Sequence, residues 1–165
     1  MAKKFLAVIA GIAAVMAAVA IFSALSNQEQ AITVDYSRES IERNESGSYG
    51  VAERETLRLD ADGSATYDRF DGNGTRVESK SFAASSEEIK VLRELFLATG
   101  FMQIPTTEYG EKSGLANYTR YELSVRSDVE SKSIRWVNPE AAQTPVPSII
   151  VNSGNRLDDI IRRNT

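Results

Sequence analysis

The stretch Thr56-Leu57-Arg58-Leu59-Asp60-Ala61-Asp62-Gly63-Ser64-Ala65-Thr66-Tyr67-Asp68-Arg69-Phe70-Asp71-Gly72-Asn73-Gly74 decides the fold. Leu57 and Leu59 alternate with polar residues, as do Ala65 and Tyr67, and period two is the signature of a half-buried strand. Asp60-Ala61-Asp62-Gly63 between them supplies residues that tolerate positive φ, so the two strands form a hairpin. Asp71-Gly72-Asn73-Gly74 is a second turn of the same composition, and Thr75 to Phe82 is the return strand. Upstream, Ile32-Thr33-Val34-Asp35-Tyr36 places Ile32, Val34 and Tyr36 on one face of a further strand, and Glu39 to Gly50 reads as a polar loop. The expected arrangement is a meander.

After Phe82 the period changes. Ser85 with Glu88 three residues later is a capping box, and Ile89, Leu92, Leu95 and Phe96 follow at helical spacing. Gly100 stops the helix as a residue able to take positive φ. Phe101 to Pro105 is an apolar connector and Glu108 to Asn117 a polar loop. Tyr118–Arg126 and Ser131–Val137 form a last hairpin, with Tyr121, Leu123 and Val125 inward and Trp136 anchoring the core. Tyr118 and Tyr121 fall on opposite faces of their strand. Pro147 suits the start of a terminal helix whose apolar face is Ile149, Ile150, Leu157, Ile160 and Ile161. Gly154 inside it costs about 1 kcal/mol relative to alanine, yet one continuous helix is expected. The expected fold class is therefore α+β: an antiparallel sheet of four to six strands, with two helices packed on one face, preceded by an N-terminal hydrophobic helix.

That hydrophobic segment is Phe5 to Phe22, an 18-residue apolar run behind Lys3 and Lys4. Residues 1–26 read either as a signal peptide cleaved near Ser26 or as an N-terminal membrane anchor through residues 5–25. Residues 27–31 read as a linker, and 32–165 as a single extracytoplasmic domain. Both readings place the domain outside the cytoplasm, membrane-anchored or secreted. The sequons at Asn44, Asn73 and Asn117 are then candidate glycan acceptors, making a glycoprotein an expectation.

Composition narrows the chemistry. The chain has 165 residues, no cysteine and no histidine, which removes disulfides, thiolate nucleophiles, histidine bases and the usual zinc ligand sets. Its net charge of −4 becomes about −6 once Lys3 and Lys4 are set aside, which disfavours nucleic acid. Asp60 to Ser64 invites a calcium reading, but an EF-hand needs a bidentate Glu at position twelve, where this chain has Asp71. Glu87-Glu88 suits a helix N-terminus, and Asp158-Asp159 an exposed helix face, rather than a carboxylate pair for glycoside hydrolysis. The expectation is no enzyme, no cofactor, no metal and no catalytic residue. Binding through a surface loop is the leading class, and Gly47, Ser48, Tyr49 and Gly50 are the candidate partner-binding residues. Two glycines allow close backbone approach, and Tyr49 between them offers an aromatic anchor with a hydroxyl. The bland alternative folds that tyrosine onto the core.

The pattern Val34-Asp35-Tyr36-Ser37-Arg38, then Gly47-Ser48-Tyr49-Gly50, then Leu57-Arg58-Leu59 resembles small prokaryotic proteins of the emfourin type, the protealysin-inhibitor family. The capped helix ending at Gly100-Phe101, the final hairpin and Pro147 are similar too. The resemblance implies an inhibitor of thermolysin-like metallopeptidases that touches the enzyme through a glycine-aromatic segment after the first strand. Here that segment is Gly47, Ser48, Tyr49 and Gly50. Ser48 stands where the family has the second of two adjacent glycines, Tyr49 replaces Phe, and Glu42 to Ser46 is an insertion. The partner is thus another protein, a metallopeptidase or, in the alternative reading, a membrane complex of which this chain is an anchored accessory subunit or envelope structural element without inhibitory role.

Overall fold

The computed structural model describes residues 30–165, and Ala31–Thr165 forms one compact unit. The N-terminal hydrophobic helix, signal peptide or anchor, and most of the linker, lie outside the described residues. Strands β1 (Ile32–Arg43), β2 (Tyr49–Leu59), β3 (Ser64–Asp71) and β4 (Arg76–Ala83) form a meander. Helix α1 (Ser86–Arg93) runs on through a wider turn to Ala98, followed by a short 3₁₀ turn at Phe101–Gln103. Strands β5 (Glu108–Tyr109), β6 (Asn117–Ser127) and β7 (Ser131–Val137) precede helix α2 (Ser148–Asn164).

The expected α+β class, with four to six antiparallel strands, is overturned. The described residues are mostly sheet: one seven-stranded sheet in the order β4-β3-β2-β1-β6-β7-β5, with two helices. Two loop readings fail for physical reasons. Glu39 to Arg43 stays in β1 because its backbone pairs with β2 on one side and β6 on the other, and the Arg120 guanidinium donates to Glu39 through Nε at 2.9 Å. Within the second expected loop, Glu108–Tyr109 adds a strand parallel to β7, with Tyr109 level with Trp136. Two residues are too few for a period to show.

Three turns of the meander repeat one design. Asn44-Glu45-Ser46-Gly47-Ser48, Asp60-Ala61-Asp62-Gly63-Ser64 and Asp71-Gly72-Asn73-Gly74-Thr75 each close with the first N–H donating to the fifth carbonyl, at 2.8, 2.8 and 2.9 Å. In each, the glycine N–H donates back to the first carbonyl, and Gly47, Gly63 and Gly74 take φ of +85°, +86° and +80°. This is the type I turn with a left-handed glycine, which any side chain would strain.

One face of the sheet carries the main core. Val34, Tyr36, Leu57, Leu59, Leu123, Val125, Ile134 and Trp136 lie on it, and both helices cover it with Leu92, Phe96, Ile150, Leu157 and Ile160. Each such fully buried aliphatic side chain is worth about 1.5–3 kcal/mol. The Ser85–Glu88 capping box is formed at the start of α1. Helix α2 is continuous and crosses the sheet diagonally: Gly154 lies against Trp136, the Tyr36 hydroxyl donates to Asp158 at 3.0 Å, and Lys80 on β4 donates to the Thr165 carbonyl. Gly154 is there for room, because a Cβ would sit 2.8 Å from Trp136 Cζ2.

A smaller core forms on the opposite face. The β1–β6 and β6–β7 registers put Ile41, Tyr118 and Val137 on that face, where Ala141 and Ala142 cap them and Val51 and Leu115 pack at the margin. A register shift beside Ile41 leaves Ala52 as the extra residue of β2, so Tyr49 and Arg43 stand level beyond it.

Candidate functional site

The glycine-tyrosine segment is the corner where β1 turns into β2. Gly47 and Ser48 belong to the turn, whereas Tyr49 and Gly50 open β2. Tyr49 is 42% exposed. Its ring stands edge-on to Tyr118 with centroids 5.7 Å apart, and its hydroxyl donates to the Leu115 carbonyl at 2.8 Å. The side chain is thus neither a free anchor nor a core residue: its ring contact with Tyr118 and its hydroxyl are fixed, and much of the rest meets water. Burial and then the Glu111 carboxylate push the Tyr118 hydroxyl upward, keeping that neighbour neutral.

Two hollows of about 540 and 490 Å³ flank the corner. Arg43 lines both, with Gly47 and Leu115 on one side and Tyr49, Glu111 and Lys112 on the other. Arg43 Nε donates to the Gly47 carbonyl at 3.0 Å, which fixes the plane of the guanidinium. Arg38, Arg69, Arg120 and Arg126 each meet a carboxylate, but Arg43 meets none among the described residues. Lys112 donates to the Glu140 backbone carbonyl at 3.0 Å, and its charge adds to the backbone and Asn138 hydrogen bonds that hold the Glu140 carboxylate below the usual range. A held tyrosine beside an arginine that meets no carboxylate among the described residues is suited to a partly acidic surface of another macromolecule.

Sequence reasoning places Tyr49 here but misses Arg43, Lys112 and Leu115. The signal for Arg43 was available. Once the Asn-x-x-Gly turn is read like its two Asp-x-x-Gly counterparts, Arg43 must pair with Tyr49 across the hairpin. The loop carrying Lys112 has no such signal, since its position depends on an isolated bridge between Glu111 and Ala142.

The other candidates resolve to structure. Asp62 accepts from the Ser64 N–H at 2.9 Å and Asp71 from Asn73 and Thr75 at 3.0 and 2.9 Å, so these carboxylates hold their own turns. Among the described residues no group of three His, Cys, Asp or Glu is arranged to hold a metal ion. No helix among them is long and apolar enough to cross a membrane. Asn44, Asn73 and Asn117 are exposed, but the Asn44 amide oxygen already accepts from the Ser48 N–H at 2.8 Å.

Asp158 departs from its expected place on an exposed helix face. It is half-buried, accepts from Tyr36 and lies 3.4 Å from Arg38. Arg38 also pairs with Glu55, which accepts from the Tyr67 hydroxyl at 3.0 Å. Burial raises the Asp158 carboxyl, with Arg38 and Tyr36 opposing. Burial likewise raises Tyr36, with Asp158 adding to it. Every member has a partner, so this row joins α2 to the sheet rather than awaiting a substrate. The uncovered face of the sheet has a hollow of about 350 Å³ beside Asp35, Ser37 and Arg58, but its carboxylates Asp35, Asp68 and Glu122 already pair with Arg126, Arg76 and Arg135.

No protein-family model and no curated protein matches this chain.

Proposed function

We propose that this chain is a non-enzymatic protein-binding module acting outside the cytoplasm, and that it inhibits thermolysin-like metallopeptidases through the β1–β2 corner. The observation that carries the reading is the pre-set tyrosine. Tyr49 is 42% exposed yet held by the Leu115 carbonyl and the ring of Tyr118, so little rotamer entropy remains to be lost on docking. Arg43 beside it supplies a clamped guanidinium with no carboxylate of its own among the described residues. Tyrosine and arginine are the residue types that dominate binding energy at interfaces. Gly47 and Gly50 leave the backbone on either side of the ring open to approach; beside Gly50 nothing lies within 4 Å of where a Cβ would be. The resemblance to emfourin-type inhibitors names the same segment.

Surface plasmon resonance between the full-length chain and an immobilised thermolysin-like peptidase tests this. Arg43→Glu reverses the charge at the corner without touching either core, and is expected to weaken binding at least tenfold. Parent and variant binding alike would overturn the assignment of the corner.

A further inference from the structure

The two edges of the sheet differ. At one end β5 is only two residues long, whereas at the other β4 runs for eight residues, Arg76–Ala83, with no strand beyond it among the described residues. An edge of that length presents unpaired N–H and C=O groups to any second strand. Its charges are spaced in a way that selects one occupant. We propose that β4 pairs antiparallel with β4 of a second copy of this chain, about a two-fold axis through Ser79.

In an antiparallel strand, backbone groups point alternately toward β3 and away from it. Outward groups of one copy must meet outward groups of the other, so a two-fold axis has to pass through a residue and never between two. That leaves few registers. An axis through Glu78 sets Glu78 against itself, and one through Lys80 sets Lys80 against itself. An axis through Ser81 sets Lys80 against Phe82 and leaves Glu78 without an opposing charge. An axis through Val77 would need Glu78 to meet Arg76, but the register shift makes Val77 an extra residue, so these two side chains point to opposite faces. Only an axis through Ser79 opposes Glu78 of each copy to Lys80 of the other, on the same face, with two small hydroxyls at the centre.

The side chains allow it. Ser79 and Ser81 are exposed, and Val77, at 51% exposure one of the few large apolar side chains in water, falls opposite Ser81 of the second copy. Within one chain Glu78 lies 3.1 Å from both Lys80 and Arg69, and Lys80 also donates to the Thr165 carbonyl, so pairing across the axis adds a further opposite charge to each rather than a first one. The bulge limits the ladder to Val77–Ser81 on each copy. The association is therefore a short strand pair, and the charges set its register more than its strength.

The chain has no cysteine, so engineered thiols report the register directly. Across the axis, the two Ser79 Cα atoms would be about 4.5–5.5 Å apart, within disulfide range. The Ser81 pair would be about 13 Å apart, from four residue rises of ~3.3 Å. Full-length Ser79→Cys and Ser81→Cys proteins at equal concentration, oxidised with copper phenanthroline, are followed on non-reducing gels. Ser79→Cys is expected to form covalent dimer at least tenfold faster than Ser81→Cys, and adding Lys80→Glu to Ser79→Cys is expected to remove most of that advantage. Equal rates for the two thiols, or an advantage indifferent to Lys80→Glu, would overturn the proposal.

Discussion

Gly154→Ala sets two effects of known sign against each other. Replacing a glycine inside α2 gains about 1 kcal/mol of helix propensity, so the substitution would stabilise an exposed helix. Here the new methyl would lie 2.8 Å from Trp136 Cζ2 and 3.7 Å from the Tyr36 hydroxyl. The indole has nowhere easy to go. Trp136 is 2% exposed, and its ring is stacked on Tyr121 at 5.1 Å with an interplanar angle of 11°. Overpacking of a tight core costs about 1–3 kcal/mol, and displacing a stacked ring belongs in the upper half of that range. The net expectation is a loss of about 1–2 kcal/mol, or a fall of about 3–8 °C in Tm for a chain of this size. Urea denaturation followed by far-UV circular dichroism measures it, and the emission of Trp136, the lone tryptophan, reports the ring's displacement directly. The decisive comparison is Gly154→Ala in a Trp136→Leu background, where the contact is gone and the same change is expected to stabilise by about 1 kcal/mol. Stabilisation in the parent background would refute the reasoning, because close approach would then not be why the helix carries a glycine.

Three other outcomes follow from the same structure. Ser85→Ala removes the hydroxyl that accepts the Glu88 N–H, and is expected to cost about 1 kcal/mol by urea denaturation. Gly63→Ala forces a side chain onto a backbone at φ +86° and 3.4 Å from the Ala84 carbonyl; a loss of about 1–2 kcal/mol is expected, and an unchanged midpoint would contradict the turn assignment. Burial raises the Asp158 carboxyl above its ordinary value, so the folded state holds that proton more tightly than the unfolded chain does. Its contribution to stability is then complete below the ordinary carboxylate range and declines as pH rises through the folded value. Relative to the parent, Asp158→Asn should gain in Tm between pH 3.5 and pH 7, and a relative loss over that window would show the sign to be wrong.

Much of this fold was legible where local chemistry acts alone. Asp-Gly turns between alternating residues, the Ser85–Glu88 box, Gly100 at φ +87° and Trp136 in the core are decided within a few residues of chain. The failures share a cause. Glu39 to Arg43 looks like a loop because the sheet's uncovered face is built from cross-strand ion pairs, and Glu39 needs Arg120, 81 residues away, to make sense of it. β5 exists only because β7 lies beside it. The small core around Ile41 and Tyr118 reverses the face on which an apolar residue belongs, and alternation along one strand cannot signal that. At the corner, the sequence marks the glycines and the tyrosine, but the carbonyl that holds the tyrosine comes from Leu115 on a distant loop.

The central claim is that the corner around Tyr49 binds a peptidase. The most direct test is the inhibition constant of full-length Tyr49→Ala against a thermolysin-like metallopeptidase, measured beside the Tm of the same protein. The parent is expected to inhibit, and removing a hot-spot tyrosine worth about 2 kcal/mol or more should weaken inhibition roughly thirtyfold or more. Losing the ring contact with Tyr118 and the hydrogen bond to Leu115 costs about 1–3 kcal/mol. Tm should therefore fall by no more than about 12 °C, with the main core, which Tyr49 does not enter, still folded at the assay temperature. A parent that does not inhibit, or a Tyr49→Ala protein that inhibits as well as the parent, would contradict the account.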